Sequence, residues 1–198
     1  MIATSKDYTK KHEGETVIIC GSAPCLLSEF AEVVANRPNA KVMAINEAAS
    51  GVQADFIVSY HAEKFPLFKQ DSLNPSASTH TGKSRRPEDE DNVDYYWPEI
   101  WIGATSAGDG LQIARRMGFS EIIMVGCPMN GGDGYFKKTD LGGICPRFGA
   151  PGTLLSNNGE QIQIYKNKLL ALKDKFDFST VRSMSGFTAE VFGKPNWR

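Results

Sequence analysis

Short runs of apolar, β-branched residues alternate along the chain with segments in which apolar residues recur at helical spacing. The short runs predict buried strands at 16–20, 41–45, 55–59, 121–125 and 180–184. The helical spacing predicts amphipathic helices after the first strand, after Thr105 and Ser106 as an N-cap pair, and over 161–176. Because strands and helices alternate in this way, we expect an α/β fold with a single Rossmann-like, doubly wound, mainly parallel sheet.

The same pattern divides the chain into a leader, one domain and an insertion. Residues 1–15 are polar and are expected to be a flexible leader ahead of a single domain over 16–198. Apolar residues are sparse over 66–98, and a segment of this length inside a compact domain is usually a functional loop or disordered. We therefore expect 66–98 to be a loop or lid insertion. The aromatic residues around its end, Tyr95, Tyr96, Trp97 and Trp101, cap the core or form a base-stacking wall, and we favour the core.

Composition and charge exclude several classes of protein. Hydrophobic residues make up 41% of the chain and the formal net charge is −1, so no global basic field favours nucleic acid as a partner. No apolar stretch is long enough for a transmembrane helix, and residues 1–15 lack the apolar core of a signal peptide, so we expect a cytoplasmic protein. The four cysteines lack paired metal-ligand spacing, which favours free thiols over a metal site or disulfides.

Polar and glycine residues follow the predicted strands at the edge where parallel sheets bind ligands. Gly21, Ser22 and Ala23 follow the first strand and precede a helix, a place where free backbone N–H groups suit a phosphate. Asn46 follows the second strand and is positioned to reach a ribose or a base. The alternatives are an ordinary strand-to-helix turn and an asparagine that caps the next turn. The glycine-rich stretch that contains Asp133 follows the strand at 121–125.

Acid–base chemistry has few candidates in this sequence. His61 follows the third predicted strand and is our preferred general base or ligand-contacting residue, with Asp133 as the second candidate. His80 lies in the expected insertion near basic residues, where it either closes over a phosphate or is exposed. No Ser-His-Asp or Cys-His arrangement is visible from spacing, so covalent catalysis has no support.

Taken together, these motifs resemble two related families. The strand and turn over 17–26 are similar to the first strand and G-x-x-P-S-L turn of bacterial family 42 sialyltransferases. They equally resemble a domain family that contains archaeal 6-hydroxymethyl-dihydropterin diphosphokinases. Asn46, the Thr105-Ser106 helix start, the strand ending at Gly126 and the late strand at 182–185 match in the same order.

The resemblance implies a site and a donor. In the sialyltransferases a CMP-activated sugar binds between the first turn, the asparagine and the Thr-Ser loop, with no metal and no tightly bound cofactor. Thr105 and Ser106 would then hydrogen-bond the donor phosphates or sugar, and Tyr135 matches a tyrosine that contacts the donor. Two departures concern catalysis: residues 137–160 contain no histidine to match that family's base, and the Gly-x-Asp of the family is replaced by 126–128 (Gly-Cys-Pro).

The sequence therefore predicts a nucleotide-dependent, glycosyltransferase-like transferase with a nucleotide-activated sugar donor and an unknown acceptor. One alternative is a pterin pyrophosphokinase-like enzyme, which would hold Mg²⁺ with Asp133 and Asp140. The other is a non-catalytic nucleotide-binding protein of the same fold. The oligomeric state stays open, a homo-oligomer included.

Overall fold

A computed structural model of the protein describes residues 3–4, 8–82, 92–100, 105–130 and 159–197. The strands in these ranges are β1 (Ala3–Thr4), β2 (Thr16–Cys20), β3 (Lys41–Ile45), β4 (Phe56–Val58), β5 (Ser78–Thr81), β6 (Tyr95–Tyr96), β7 (Glu121–Val125) and β8 (Val181–Ser183). The α-helices are α1 (Leu26–Asn36), α2 (Phe65–Asp71), α3 (Ser106–Met117), α4 (Gly159–Lys175) and α5 (Gly186–Phe192). Short 3-10 helices follow β3 (Asn46–Ser50) and β4 (Ala62–Lys64).

The strands form one sheet in the order β1-β6-β5-β4-β3-β2-β7-β8. Every strand pair among the described residues is parallel. The chain builds outward from β2 to β6, then returns to the other side of β2 to add β7 and β8. The direction of winding therefore reverses between β2 and β7, and the predicted Rossmann-like, doubly wound sheet is confirmed.

Alternate residues of the central strands bury opposite faces of the sheet. Val17 and Ile19 of β2 pack with α3, α4 and α5, whereas Ile18 and Cys20 pack with α1, α2 and the 3-10 helix after β3. All four side chains are fully buried. Helices thus cover both faces, which explains why these strands have uninterrupted apolar sequences.

The prediction of a loop or lid over 66–98 is wrong for the part of it that the structure describes. That segment supplies most of α2 and all of β5 and β6. Thr79 of β5 is buried, and its hydroxyl donates to Asp94 Oδ2 over 2.9 Å. Trp97 is fully buried, so the interpretation of the aromatic cluster as core is confirmed for this residue.

The prediction of a flexible leader over 1–15 is also wrong from Tyr8 onward. The backbone N–H of Lys10 donates to Arg116 O, and that of His12 donates to Met117 O, both over 2.8 Å. Tyr8 and His12 are buried, with the imidazole of His12 stacked on the ring of an adjacent phenylalanine. Burial of these rings explains why a segment with a polar sequence is ordered against the end of α3.

Candidate functional site

The carboxyl ends of the strands bring the predicted site residues to one edge of the sheet. Gly21 follows β2, Asn46 follows β3, Ser59 follows β4 and Gly126 follows β7. Helix α3 begins at the same edge, because Ser106 Oγ accepts a hydrogen bond from the backbone N–H that follows Ser59. We call this region the carboxyl edge.

The turn after β2 packs directly against the turn after β7. The N–H of Gly21 donates to Val125 O over 2.8 Å, and the N–H of Ala23 donates to Gly126 O over 3.1 Å. A Cβ atom on Gly21 would lie 2.5 Å from Gly126 O and would also overlap Cys127 Sγ. The phosphate prediction depends on free amides at this turn, and those of Gly21 and Ala23 are already occupied.

Carboxylates also surround this turn. Ser22 is buried and its hydroxyl donates to Glu47 Oε1 over 2.9 Å. Glu29, in the first turn of α1, accepts from the N–H of Gly126 at 2.7 Å. An anionic phosphate at this turn would face two carboxylates, which disfavours phosphate binding there.

Asn46 has two features that bear on ligand binding. Its backbone is left-handed, with φ at +54°, a conformation that costs energy for a residue with a side chain. Its side-chain Oδ1 is buried and has no hydrogen-bond partner. A strained residue with an unsatisfied acceptor at a ligand-binding edge is expected where a ligand completes the bond.

We expect Asn46→Gly to raise the free energy of unfolding by about 1 kcal/mol, because glycine relieves the left-handed backbone and removes the unsatisfied acceptor. Urea unfolding of the ligand-free protein measures this. Lys10→Gly is the matched control, since Lys10 has φ at +60° with an exposed side chain. An equal gain in the free energy of unfolding in both variants would mean that the unsatisfied Oδ1 of Asn46 does not destabilise the protein.

The start of α3 is the second part of the carboxyl edge. Thr105 is its N-cap, as predicted, and its Oγ1 accepts from the N–H of Gly108 over 3.1 Å. Ser106 Oγ accepts from the N–H of Tyr60 over 3.4 Å and keeps its own proton for donation. The N–H groups of Ser106 and Ala107 lie in the first turn, where the helix offers them no acceptor. Among the described residues these two amides have no acceptor, so the start of α3 is the part of the carboxyl edge that suits an anion.

His61 lies beside the edge with its side chain 37% exposed. The ring Nδ1 of His61 is 3.1 Å from Glu63 Oε1. The backbone N–H of His61 donates to Ser59 Oγ over 2.9 Å. The imidazole is thus held by a neighbouring carboxylate at the surface. Three residues named from the sequence lie outside the described residues: Asp133, Tyr135 and Asp140.

His80 is neither a lid residue nor exposed, which corrects the expectation from the sequence. It is fully buried on β5, where Nδ1 accepts from Trp97 Nε1 over 3.2 Å and Nε2 lies 2.8 Å from Ser78 Oγ. Trp97 can only donate, so the proton of the neutral ring is on Nε2. Burial lowers the pKa of His80 to about 3, with Asp94 acting in the opposite direction. This histidine is a neutral core residue.

Sequence reasoning missed Asp109, in the first turn of α3. The residue is 3% exposed. Burial raises the pKa of its carboxyl to about 7, while Lys168 on α4 opposes the shift. The signal was present in the sequence, because Asp109, Ile113 and Met117 recur at four-residue spacing and share the buried face of α3.

The described cysteines are free thiols. Cys20 and Cys127 are buried, and Cys25 is half-buried beside the turn. Burial, followed by the charge of Glu29, raises the pKa of Cys127 to about 12 and that of Cys25 to about 11. These thiols are protonated at neutral pH and are poor nucleophiles. Within the described ranges no group of three or more His, Cys, Asp or Glu side chains is placed to hold a metal ion.

The fold has a counterpart among solved structures. The chain is similar to the MAf glycosyltransferase from Magnetospirillum magneticum AMB-1, with a TM-score of 0.53 over 92% of this chain at 14% identity. It spans 35% of the length of that protein, and at this identity the likeness concerns the fold alone. No family model and no curated protein matches the sequence. Among the described helices, none has the length and apolar character needed to cross a membrane.

Proposed function

We propose that the carboxyl edge binds a nucleotide-activated sugar and that the protein is a glycosyltransferase-like transferase. The observation that carries this proposal is Asn46, with its strained backbone and its buried, unsatisfied Oδ1 at the ligand-binding edge. The likeness in fold to a glycosyltransferase agrees with it. The resemblance of the turn, the asparagine and the Thr-Ser helix start to family 42 sialyltransferases makes a CMP-activated sugar the first donor to test.

Different residues of this edge suit different parts of the donor. Asn46 Oδ1 can only accept, so its partner is a ribose hydroxyl or an N–H of the base. The first-turn amides of Ser106 and Ala107 and the Ser106 hydroxyl suit the donor phosphates, because the helix dipole also favours negative charge there. Thr105 contributes by capping the helix. Gly21, Ser22 and Ala23 shape the wall against which the nucleotide lies.

A transferase also needs a group to remove the proton from the acceptor. His61 remains a candidate from its place after β4, and Asp133 and Tyr135 remain proposals from the sequence. The contact of His61 with Glu63 at a half-exposed position gives it no direct link to Asn46 or α3. Tightly bound cofactors have no part in the proposal, and Mg²⁺ belongs to the pyrophosphokinase alternative only.

A thermal-shift screen against nucleotides, nucleotide-sugars and pterins, with and without Mg²⁺, tests the proposal. A ligand at 100 times its dissociation constant stabilises the native state by about 2.7 kcal/mol, which gives a clear rise in Tm. Stabilisation by CMP-sugars without Mg²⁺ is the expected result. Absence of a shift with every nucleotide would overturn the proposal.

We expect Asn46→Ala to weaken nucleotide binding about tenfold, since one hydrogen bond from the ligand is lost. Titration calorimetry with the best ligand of the screen measures the change. Asn36→Ala is the control, because that side chain is exposed at the end of α1 and bonds only within its helix, to Glu32 O. Equal affinities for both variants would remove Asn46 from the site.

The same screen separates the two alternatives. Mg²⁺-dependent turnover of ATP with a pterin would favour the pyrophosphokinase. Nucleotide binding without release of sugar from any donor would favour the non-catalytic protein.

A further inference from the structure

We infer that the hydroxyl of Thr81 binds the sugar part of the donor, so that the donor lies along the carboxyl edge from β3 to β5. The inference rests on the proposed function and adds to it the orientation of the ligand and a residue that the sequence motifs do not contain. Thr81 is the last residue of β5 and is fully buried.

The hydroxyl of Thr81 lacks a hydrogen-bond partner. Its Oγ1 is one of three buried side-chain polar atoms in the described ranges without one, and the other two are His12 Nε2 and Asn46 Oδ1. Thr79 lies two residues earlier on the same face of β5 and is equally buried, but its hydroxyl donates to Asp94 Oδ2. The strand thus satisfies the hydroxyl in its interior and leaves the one at its carboxyl end without a partner, which is expected where a ligand supplies the bond.

The register of the sheet places Thr81 in one row with Asn46. The last paired row of β3, β4 and β5 consists of Ile45, Val58 and His80. The next residues of these strands are Asn46, Ser59 and Thr81. The N–H of Ser59 donates to His80 O over 3.2 Å, so the pairing of β4 with β5 continues into this next row. Neighbouring strands lie about 4.8 Å apart, which puts the backbones of Asn46 and Thr81 about 10 Å from each other.

The start of α3 meets the edge between these two residues. The N–H of Tyr60, next to Ser59, donates to Ser106 Oγ over 3.4 Å, which ties the first turn of α3 to the end of β4. The first-turn amides of Ser106 and Ala107 are the part of the edge that suits an anion. From β3 to β5 the edge therefore presents a buried acceptor, an anion site and a buried hydroxyl.

This order is the covalent order of a nucleotide-activated sugar, in which a phosphate joins the nucleoside to the sugar. Asn46 Oδ1 accepts from the ribose or the base, the amides of α3 face the phosphate, and the sugar reaches Thr81. A threonine hydroxyl both donates and accepts, as does each hydroxyl of a sugar. Because both buried oxygens are covered in the ligand-free protein, the donor has to displace side chains to reach them.

A comparison of CMP with CMP-N-acetylneuraminate separates the contact to the sugar from the contacts to the nucleotide. Thr81→Val replaces the hydroxyl with a methyl group. By titration calorimetry, we expect this variant to bind CMP with wild-type affinity and CMP-N-acetylneuraminate about tenfold more weakly. Asn46→Ala is expected to weaken the binding of both ligands. Any other nucleotide-sugar that raises the Tm of the wild-type protein is compared with its free nucleotide in the same way.

The stability of the ligand-free variants distinguishes a ligand contact from a structural one. Thr81→Val removes an unsatisfied hydroxyl and is expected to raise the Tm by about 3 °C. Thr79→Val is the matched control: it breaks the bond to Asp94, so it is expected to lower the Tm while both affinities stay unchanged. Thr81→Ser retains the hydroxyl and is expected to keep most of the affinity for CMP-N-acetylneuraminate.

Three results would overturn the inference and leave the proposed function standing. The first is a Tm of Thr81→Val below that of the wild-type protein, because the hydroxyl would then have a structural partner. The second is an unchanged affinity of Thr81→Val for the nucleotide-sugar. The third is an equal loss of affinity for CMP and for CMP-N-acetylneuraminate, which would assign Thr81 to the nucleotide. Absence of nucleotide-sugar binding by the wild-type protein overturns both.

Discussion

Replacing Gly21 with alanine is expected to lower the free energy of unfolding by about 3 kcal/mol. The added Cβ would meet Gly126 O at 2.5 Å and overlap Cys127 Sγ. The first of these atoms belongs to the backbone and cannot swing away, so β2 and β7 have to separate at their carboxyl ends. The hydrogen bond from Gly21 N–H to Val125 O, 2.8 Å long, would weaken at the same time.

Urea unfolding of Gly21→Ala, followed by circular dichroism, measures this loss. Gly14→Ala is the control, since Gly14 has φ at +83° but no atom within 4 Å of the added Cβ. Its cost is that of the positive-φ backbone alone, about 1 kcal/mol. A Gly21→Ala protein that is as stable as wild type but fails to bind nucleotide would contradict our account, because that result would return the glycine to a role in ligand contact.

The largest effect of pH is expected in the Asp109→Asn protein, which should lose stability on acidification more steeply than wild type. His80 has a folded-state pKa of about 3 against an ordinary 6.5, so between these values the unfolded state binds more protons. Its stabilising contribution is complete above pH 6.5 and is lost toward pH 3, by up to about 1.4 kcal/mol per pH unit.

Asp109 has the opposite sign. Its folded-state pKa is about 7 against an ordinary 3.8, so between these values the folded state binds more protons. Its contribution therefore rises as the pH falls from 7 to 4, which offsets the loss at His80 in the wild-type protein. Asp109→Asn removes this opposing contribution, so the free energy of unfolding of that variant follows the pH dependence that His80 imposes.

Urea unfolding at half-unit steps from pH 4 to pH 7.5 measures these slopes. Asp174→Asn is expected to follow the wild-type curve. Adding His80→Gln to Asp109→Asn is expected to return the slope to the wild-type value, because the buried imidazole is gone. If the free energy of unfolding has the same pH dependence in the wild-type protein and in Asp109→Asn, the pKa of Asp109 is not raised by its burial and this account is contradicted.

The core of the fold could be predicted from the sequence because apolar runs mark strands that are buried on both faces. The strands at 16–20, 41–45 and 121–125 begin and end as the apolar runs do, and those at 55–59 and 180–184 are each one residue shorter at both ends. The cap at Thr105 also followed from residue type. The local sequence is sufficient to predict these elements because the strand pattern and the cap depend on residues that are close together in the chain.

Strand β5 could not be predicted in this way. Its sequence, Ser-Thr-His-Thr, has no aliphatic residue, and its burial depends on partners far along the chain. Thr79 needs Asp94, and His80 needs Trp97. The segment from Tyr8 to Glu15 was missed for the same reason, since its acceptors lie at the end of α3.

The residues named for the candidate site from the sequence and described by the structure follow strands at one edge of the sheet or begin α3 there, and their roles stay predictions. Asn46 was named from its position after a strand, and its strain and unsatisfied oxygen give that choice a physical basis. The amides of Gly21 and Ala23 were assigned to a phosphate because their acceptors, Val125 O and Gly126 O, lie about a hundred residues later and cannot be recognised from the local sequence. Asp109 was overlooked because a carboxylate in a helix usually faces solvent.

The two outermost strands of the sheet have a consequence for the behaviour of the protein at high concentration. In the part of the chain that the structure describes, β1 is two residues long and β8 is three, so neither of these edges offers a long row of unpaired backbone groups for another chain to extend. The six strands between them are paired on both sides. A sheet whose central strands are almost entirely apolar is thereby protected from intermolecular strand pairing, the usual first step toward aggregation.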